Sequence, residues 1–252
     1  MKIRIVLQAR MGSRRRPGKT LADIGGKPLL TRCLERLAAV RRRGGRRWEL
    51  IVATSTAPSD DAVAQLAESL GYRCVRGSED DVLSRYVLAT ADLQNGDVVV
   101  RATADNPLYC PQRTFRLVVE HLASGLDYTG IDPLSPLAPE AFRVGALRAL
   151  AARNDLDDYC REHVTPFFRR DATPFRARRL PPNWNGIEPD VRLTVDTPED
   201  IAAMDRIYRT LIAMTGCDRP DRWSLEQILG TARGLAAADA EAAGKSSDSA
   251  AA

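Results

Sequence analysis

Short β-branched runs alternate with amphipathic helices through the first hundred residues, and this rhythm restricts the fold more than any other feature of the chain. Residues 2–7, 49–54, 73–76 and 97–101 read as short buried strands. Between them, Leu29, Leu30, Cys33, Leu34 and Leu37 recur at helical spacing after Pro28. Val63, Leu66, Ala67 and Leu70 do so after a cap at Asp60 or Asp61, and Val82, Leu83, Tyr86, Val87 and Ala89 after Asp80 or Asp81. Strand–loop–helix units in series predict an α/β fold with a mostly parallel central sheet and helices on both faces. Ligands of such sheets sit beyond the carboxyl ends of the strands. The loop of residues 8–21, Thr54-Ser55, Gly77-Ser78 and Thr103-Ala104-Asp105 all fall there.

The second half is less regular. A helix is expected over 111–124, a proline-rich irregular stretch over 130–139, and a helix near 144–152. Residues 158–169 read as helix, ended or kinked by Pro166. Residues 176–180 and 192–195 read as strands. Thr197, Pro198 and Asp200 start a strong helix, and Ser224 with Gln227 marks a capping box for a short one. The 252 residues are enough for one large α/β domain or two small ones, and residues 1–235 are read as one domain. Residues 236–252 show no apolar periodicity and are expected to be a disordered tail. The net charge of +4 is mild and does not call for nucleic acid. The Arg41–Arg47 run lacks interleaved aromatics and reads as a solvated helix end rather than a nucleic-acid patch. Five scattered cysteines, with no C-x-x-C pair, predict reduced thiols in a cytosol. No signal peptide is visible and no apolar run approaches ~18 residues, so a cytoplasmic protein without a membrane partner is expected.

The loop QARMGSRRRPGKTL carries Arg10, Arg14, Arg15, Arg16 and Lys19 with Gly12 and Gly18 among them. Glycines let backbone N–H groups approach an anion and cations neutralise it, which suits a di- or triphosphate; a solvated basic loop is the alternative. The Gly12 to Gly18 spacing is one residue too long for a P-loop. Asp105 and Asp196 each follow an expected strand, where paired carboxylates hold Mg²⁺ against substrate phosphates. Asp196 equally suits plain helix-start punctuation, and Asp105-Asn106-Pro107 an Asx-turn.

In order along the chain come QARMGSRRRPGK, RGSEDDVLSRY, RATADNPL, REHVTP and LTVDTPED. Through them residues 3–229 resemble the cytidylyltransferase family that includes the spore-coat polysaccharide SpsF-like proteins and is related to the synthetases of CMP-activated acidic sugars. The resemblance implies a Rossmann-like nucleotide-diphospho-sugar transferase (GT-A) fold, with a nucleotide half over about 1–110 and an acceptor half over about 111–235. It implies transfer of CMP from CTP to a hydroxyl of a small anionic acceptor, an acidic sugar or sugar-like molecule for surface polysaccharide or related synthesis, with release of pyrophosphate. Phosphonates and polyol phosphates are further candidate acceptors, and homodimers are the analogous assembly. Matched residue by residue, Lys19, Arg10 and Arg15 would act on the triphosphate, together with Gln8, Ala9, Gly12 and Ser13 of the same motif. Arg76, Ser78, Val82, Leu83 and Arg85 would lie beside base and ribose, with Ser78 favouring cytosine. Arg101 and Thr103 would also bind nucleotide, and Asp105 and Asp196 would be the metal ligands for Mg²⁺.

The chain departs from the family at four places. Arg14 and Arg16 replace the usual Thr and Leu. Ala104 replaces a Gly, which would cost strain if that backbone needs positive φ. Asn106 replaces a Cys. The usual D-G-L-D-V-E becomes Ser135-Pro136-Leu137-Ala138-Pro139-Glu140, which loses both aspartates. Glu140, Arg143, Glu162 and His163 are the expected acceptor contacts. One of Glu162 and His163 is expected to face the pocket and the other to brace the fold, because neighbours on a helix diverge by about 100°. An altered acceptor half also admits a non-catalytic nucleotide-binding or scaffold protein, which turnover would separate from an enzyme.

Overall fold

The three central strands of the first half have two buried faces, and the computed structural model shows what each face meets. It describes residues 1–12, 16–184 and 190–250, the last eight as backbone only. β1 (Ile3–Gln8) lies at the centre of a seven-stranded sheet. β2 (Asp23–Ile24) and β3 (Lys27–Pro28) make a separate small ribbon that leads into helix α1 (Leu29–Gly44). β4 (Trp48–Ser55) follows, then α2 (Asp61–Ser69), β5 (Cys74–Gly77), α3 (Val82–Ala89) and β6 (Val98–Thr103). The second half adds α4 (Pro111–Ser124), β7 (Tyr128–Ile131), β8 (Glu140–Arg143), α5 (Val144–Ala151) and α6 (Asp158–His163). The chain closes with β9 (Ala177–Leu180), α7 (Pro198–Thr215) and α8 (Leu225–Ala250). The strand order is β5-β4-β1-β6-β8-β7-β9. β5, β4, β1 and β6 are mutually parallel, β9 is parallel to β7, and β8 alone runs against its neighbours β6 and β7.

Side chains alternate across this sheet, as the pleat requires. Ile3, Ile5 and Leu7 of β1 join Leu50, Val52, Val98 and Val100 under α1, α2, α4, α7 and α8. Val6, Ile51, Ala53 and Val99 face the other way, under α3, α5 and α6. Gln8 pairs with both Ala53 and Thr103, so the carboxyl ends of the three central strands finish level.

Four features differ from the sequence reading. Residues 192–195 are not a strand; their backbone is pinned by the Val195 N–H donating to the Asp105 carbonyl (2.9 Å). β7 is not anticipated; its last two residues fall in the stretch read as irregular, and its four residues carry too little pattern to be read. Asp60 does not cap α2 with its side chain, which is committed elsewhere. The last helix continues through Ala250, where a disordered tail was expected from residue 236. That stretch is exposed at residues 236–242, and its alanines give it high helix propensity without packing. The capping boxes at Thr197/Asp200 and Ser224/Gln227 form as expected, and Asp81 caps α3 by accepting from the Ser84 N–H. All five cysteines are free thiols, and among the described residues no helix is long and apolar enough to cross a membrane.

Candidate active site

A cleft of about 320 Å³ opens where the central strands end. Its lining includes Gln8, Ala9 and Arg10 after β1, Thr103, Ala104 and Asp105 after β6, and Val82 and Arg85 from α3. Arg101, Lys19, Thr20, Glu162, His163 and Asp196 complete it.

The loop after β1 is folded back on itself. The Gly18 N–H donates to the Met11 carbonyl (3.0 Å), at a φ of +79° that glycine adopts without strain. The Thr20 hydroxyl donates to the Arg10 carbonyl (2.7 Å). Asp60 anchors the loop from below: its Oδ1 accepts from the Met11 N–H (2.6 Å) and its Oδ2 from the Ser55 N–H (3.1 Å) and hydroxyl (2.5 Å). Burial alone would raise the Asp60 pKa, but these hydrogen bonds outweigh it and hold the carboxyl below its ordinary value. Asp60 and Thr20 escaped the sequence reading. An Asp before an apolar helix reads as a cap, and only the fold brings it under the loop.

This loop presents Lys19 to both candidate metal carboxylates. Its Nζ donates to the Val195 carbonyl (2.8 Å) and to Asp196 Oδ1 (2.8 Å), and Asp105 Oδ2 lies 3.9 Å away. Asp196 is not the helix cap; Thr197 fills that role with Asp200. Asp105 is held from the other side, its Oδ1 accepting from the Thr103 hydroxyl (2.5 Å) and the Asn106 amide (3.0 Å). Its Oδ2 is thereby left toward Lys19. Asn106 and Thr103 both contact the Tyr109 hydroxyl, whose pKa burial pushes up to about 12. Ala104 is not among the positive-φ residues, so the family's glycine is not needed here. Among the described residues no three His, Cys, Asp or Glu side chains form a metal cage. Two hard carboxylates converging on one point suit instead a cation such as Mg²⁺ that takes its other ligands from water and substrate phosphate.

The acceptor side is built differently from expectation. Glu162 and His163 both line the cleft, rather than one bracing the fold. α6 stops at His163, and Val164 turns the chain at φ 68°, ψ −55°, with the Thr165 N–H donating to the His163 carbonyl (2.8 Å). Glu162 Oε1 accepts from Arg10 (2.8 Å), and the His163 ring rests 4.4 Å from that of Tyr159. Glu140 is buried behind Arg101: its Oε2 accepts from Arg101 Nη1 (2.7 Å) and its Oε1 from the Tyr128 hydroxyl (2.6 Å). Burial opposes the Arg101 charge, but Glu140 more than restores it. Glu140 therefore steadies a cleft residue without lining the cleft itself. Arg143 lies at the opposite end of β8, paired in register with Val98 and donating to the Gly96 carbonyl (3.0 Å). β8 is antiparallel, so three residues carry it some 10 Å away from the cleft.

Four other expected contacts also lie outside the lining. Arg76 turns back to the Ser55 and Ala57 carbonyls and to Asp61. The Ser78 hydroxyl accepts from the Asp81 N–H at the start of α3 (3.0 Å) and is not part of the cleft lining. Leu83 is buried in the core, and Gly12 faces Glu79. Ser13 and Arg15 lie outside the described residues.

A family model described as cytidylyltransferase matches residues 4–226 of the chain. The spore coat polysaccharide biosynthesis protein SpsF of Bacillus subtilis is 32% identical over 228 residues, covering 90% of this chain and 92% of that protein. A cytidylyltransferase from Leptospira borgpetersenii serovar Hardjo-bovis superposes with a TM-score of 0.78 at 27% identity, over 94% of this chain and 96% of that one. A CMP:2-keto-3-deoxy-manno-octonic acid synthetase solved with CTP shares the fold at a TM-score of 0.62 and 19% identity, over 85% of this chain and 100% of that one.

Proposed function

The chain belongs to the cytidylyltransferase family, and on that premise we propose that it transfers CMP from CTP to a hydroxyl of an acidic sugar or similar small anionic acceptor and releases pyrophosphate. The observation that carries the reading is Lys19 held between Asp105 and Asp196 at the carboxyl ends of the central strands. The acceptor class is taken from the synthetase that shares the fold and acts on a keto-acid sugar.

An acceptor hydroxyl attacks the α-phosphorus in line, and the bond to the pyrophosphate oxygen breaks. Negative charge builds on the phosphate oxygens, and preorganised cations offset it. Lys19 and Arg10, with Arg15 of the same loop, fill that role. Asp105 and Asp196 would hold Mg²⁺, which when bound supplies further charge neutralisation to the triphosphate. Gln8, Ala9, Val82 and Thr103 line the nucleotide side, and Glu162 and His163 meet the acceptor. The lining carries Arg10, Lys19, Arg85 and Arg101 against Asp105, Glu162 and Asp196, a balance that suits anionic substrates. None of residues 135–140 lines the cleft. The test is pyrophosphate release from each of the four NTPs against a panel of acidic and neutral sugars. Release with CTP and an acidic sugar is the expected result. Equal rates with CTP and UTP would remove the cytidine assignment, and CTP binding without turnover on any acceptor would point to a scaffold.

A further inference from the structure

Five of the largest fully buried side chains in the molecule are arginines, and their surroundings differ. Arg4 pairs with Asp92 and Glu49. Arg32 pairs with Asp218 and Glu35, Arg36 donates to the carbonyls of Tyr109 and Pro220, and Arg113 donates to the Pro182 carbonyl (3.4 Å) with its guanidinium over the Trp184 ring. Arg85 has no such arrangement. It is 1% exposed, its Nε and Nη1 have no hydrogen-bond partner, and among the described residues no carboxylate pairs with it. Tyr86, Asp60 and Glu79 act on it only from a distance, and both Asp60 oxygens are already occupied by Met11 and Ser55. Arg10 repels it, and burial with that repulsion makes its charge harder to keep. An uncompensated buried cation is strongly unfavourable. This one lies on the wall of the cleft.

The placement is also built for. A Cβ added at Gly77 would come within 2.9 Å of the Arg85 Cγ, so the glycine in R-G-S-x-x-D-V-L-x-R-Y is what lets the arginine stem pass. α3 is fixed in turn by its Asp81 cap and by Arg161 of α6, which reaches Asp81 at 3.4 Å. A guanidinium presents a planar fork of donors that matches a carboxylate or phosphate in a bidentate fashion.

We propose that Arg85 forms an oxyanion subsite in the wall of the cleft and binds a carboxylate or phosphoryl group of the substrate. The two sources, acceptor carboxylate and nucleotide phosphate, take their names from the transferase reading, but binding itself does not require turnover. The experiment is calorimetric titration of the whole protein, in Mg²⁺ buffer, with CTP, cytidine, tripolyphosphate and 3-deoxy-manno-octulosonate. Wild type is compared with Arg85→Met, which keeps length and loses charge, and Arg85→Lys, which keeps charge and loses the fork.

Arg85→Met is expected to melt at or above the wild-type temperature while losing at least about tenfold affinity for an anionic probe. Weakened CTP and tripolyphosphate with unchanged cytidine identify the phosphate source. Weakened 3-deoxy-manno-octulosonate with unchanged CTP identifies the carboxylate. Arg85→Lys should fall between wild type and Met for the same probe, and it decides the matter alone if Met does not fold. Wild-type affinities for all four probes in the variants overturn the proposal, as does a wild-type protein that binds none of the anions. A wild type that binds them yet releases no pyrophosphate refutes the transfer reaction and still leaves the Arg85 result to be read.

Discussion

Lys19 is the residue on which the proposed chemistry turns, because it lies against both candidate metal carboxylates, Asp196 and Asp105. As a preorganised cation it should contribute ~2–4 kcal/mol to the transition state, so Lys19→Ala should lower kcat/KM by roughly two to three orders of magnitude. Circular dichroism should still show a folded protein, and near-wild-type kinetics would remove Lys19 from the site. Asp105 allows a cleaner separation. Its Oδ1 is held by Thr103 and Asn106 while its Oδ2 faces Lys19. Asp105→Asn can keep the carbonyl on the first side and place an amide on the second, where a hard cation binds poorly. Activity should fall about 100-fold or more with little change in melting temperature. A lower melting temperature with intact kinetics would make Asp105 structural.

At the scale of elements, α6 and the turn after it decide how the acceptor side is presented. Val164 is β-branched and fully buried, yet it sits at positive φ, the only non-glycine among the described residues to do so. Such a residue stores about 1–3 kcal/mol of backbone strain. Val164→Gly gives up about 2 kcal/mol of apolar burial but releases that strain, so urea unfolding should show a loss of under about 1 kcal/mol. Turnover should fall about tenfold, because Glu162 and His163 lose their fixed seat. A full cavity-sized loss of stability would mean that the turn is not strained. Where α4 meets β7, His121 is fully buried, its Nδ1 against the Thr129 hydroxyl (2.9 Å) and its Nε2 without a partner. Burial, then the nearby Arg143 charge, pushes its pKa down to about 4. The unfolded chain therefore binds this proton more readily than the folded one. Stability from His121 is complete above about pH 6.5 and is lost as pH falls toward 4, by up to about 3 kcal/mol. Unfolding free energies measured across that range should slope for wild type and flatten for His121→Gln; equal slopes would exclude the histidine as the cause.

Across the whole molecule, the parts that could be read in advance are those whose local pattern has a single physical cause. β1, β4 and β6 are rich in β-branched residues because both faces are buried, and the helices between the strands carry clear apolar stripes. β8 was not legible: it has four residues, one of them a buried glutamate whose purpose is Arg101. Residues 192–195 look like a strand because polar and apolar residues alternate in Arg-Leu-Thr-Val, whereas bonds from the Val195 N–H to Asp105, from Lys19 to the Val195 carbonyl and from Arg192 to Asp200 fix them in place. The contact of Lys19 with Asp196, separated by 177 positions, has no local signature; strand-end placement and the family resemblance put both residues in one site without pairing them. Glu140 and Arg143 were assigned to the acceptor together because they are neighbours in sequence. The antiparallel sense of β8 puts one behind the cleft and the other at the far end of the sheet. The account as a whole rests on attack at the α-phosphorus of CTP. Labelled CTP tests this most directly: the enzyme is incubated with Mg²⁺ and a keto-acid sugar, using α-³²P in one reaction and γ-³²P in another. The predicted result is α-label in a CMP–acceptor conjugate and γ-label in pyrophosphate. Release of γ-label as inorganic phosphate, or recovery of both labels in unchanged CTP with every acceptor tried, would contradict it.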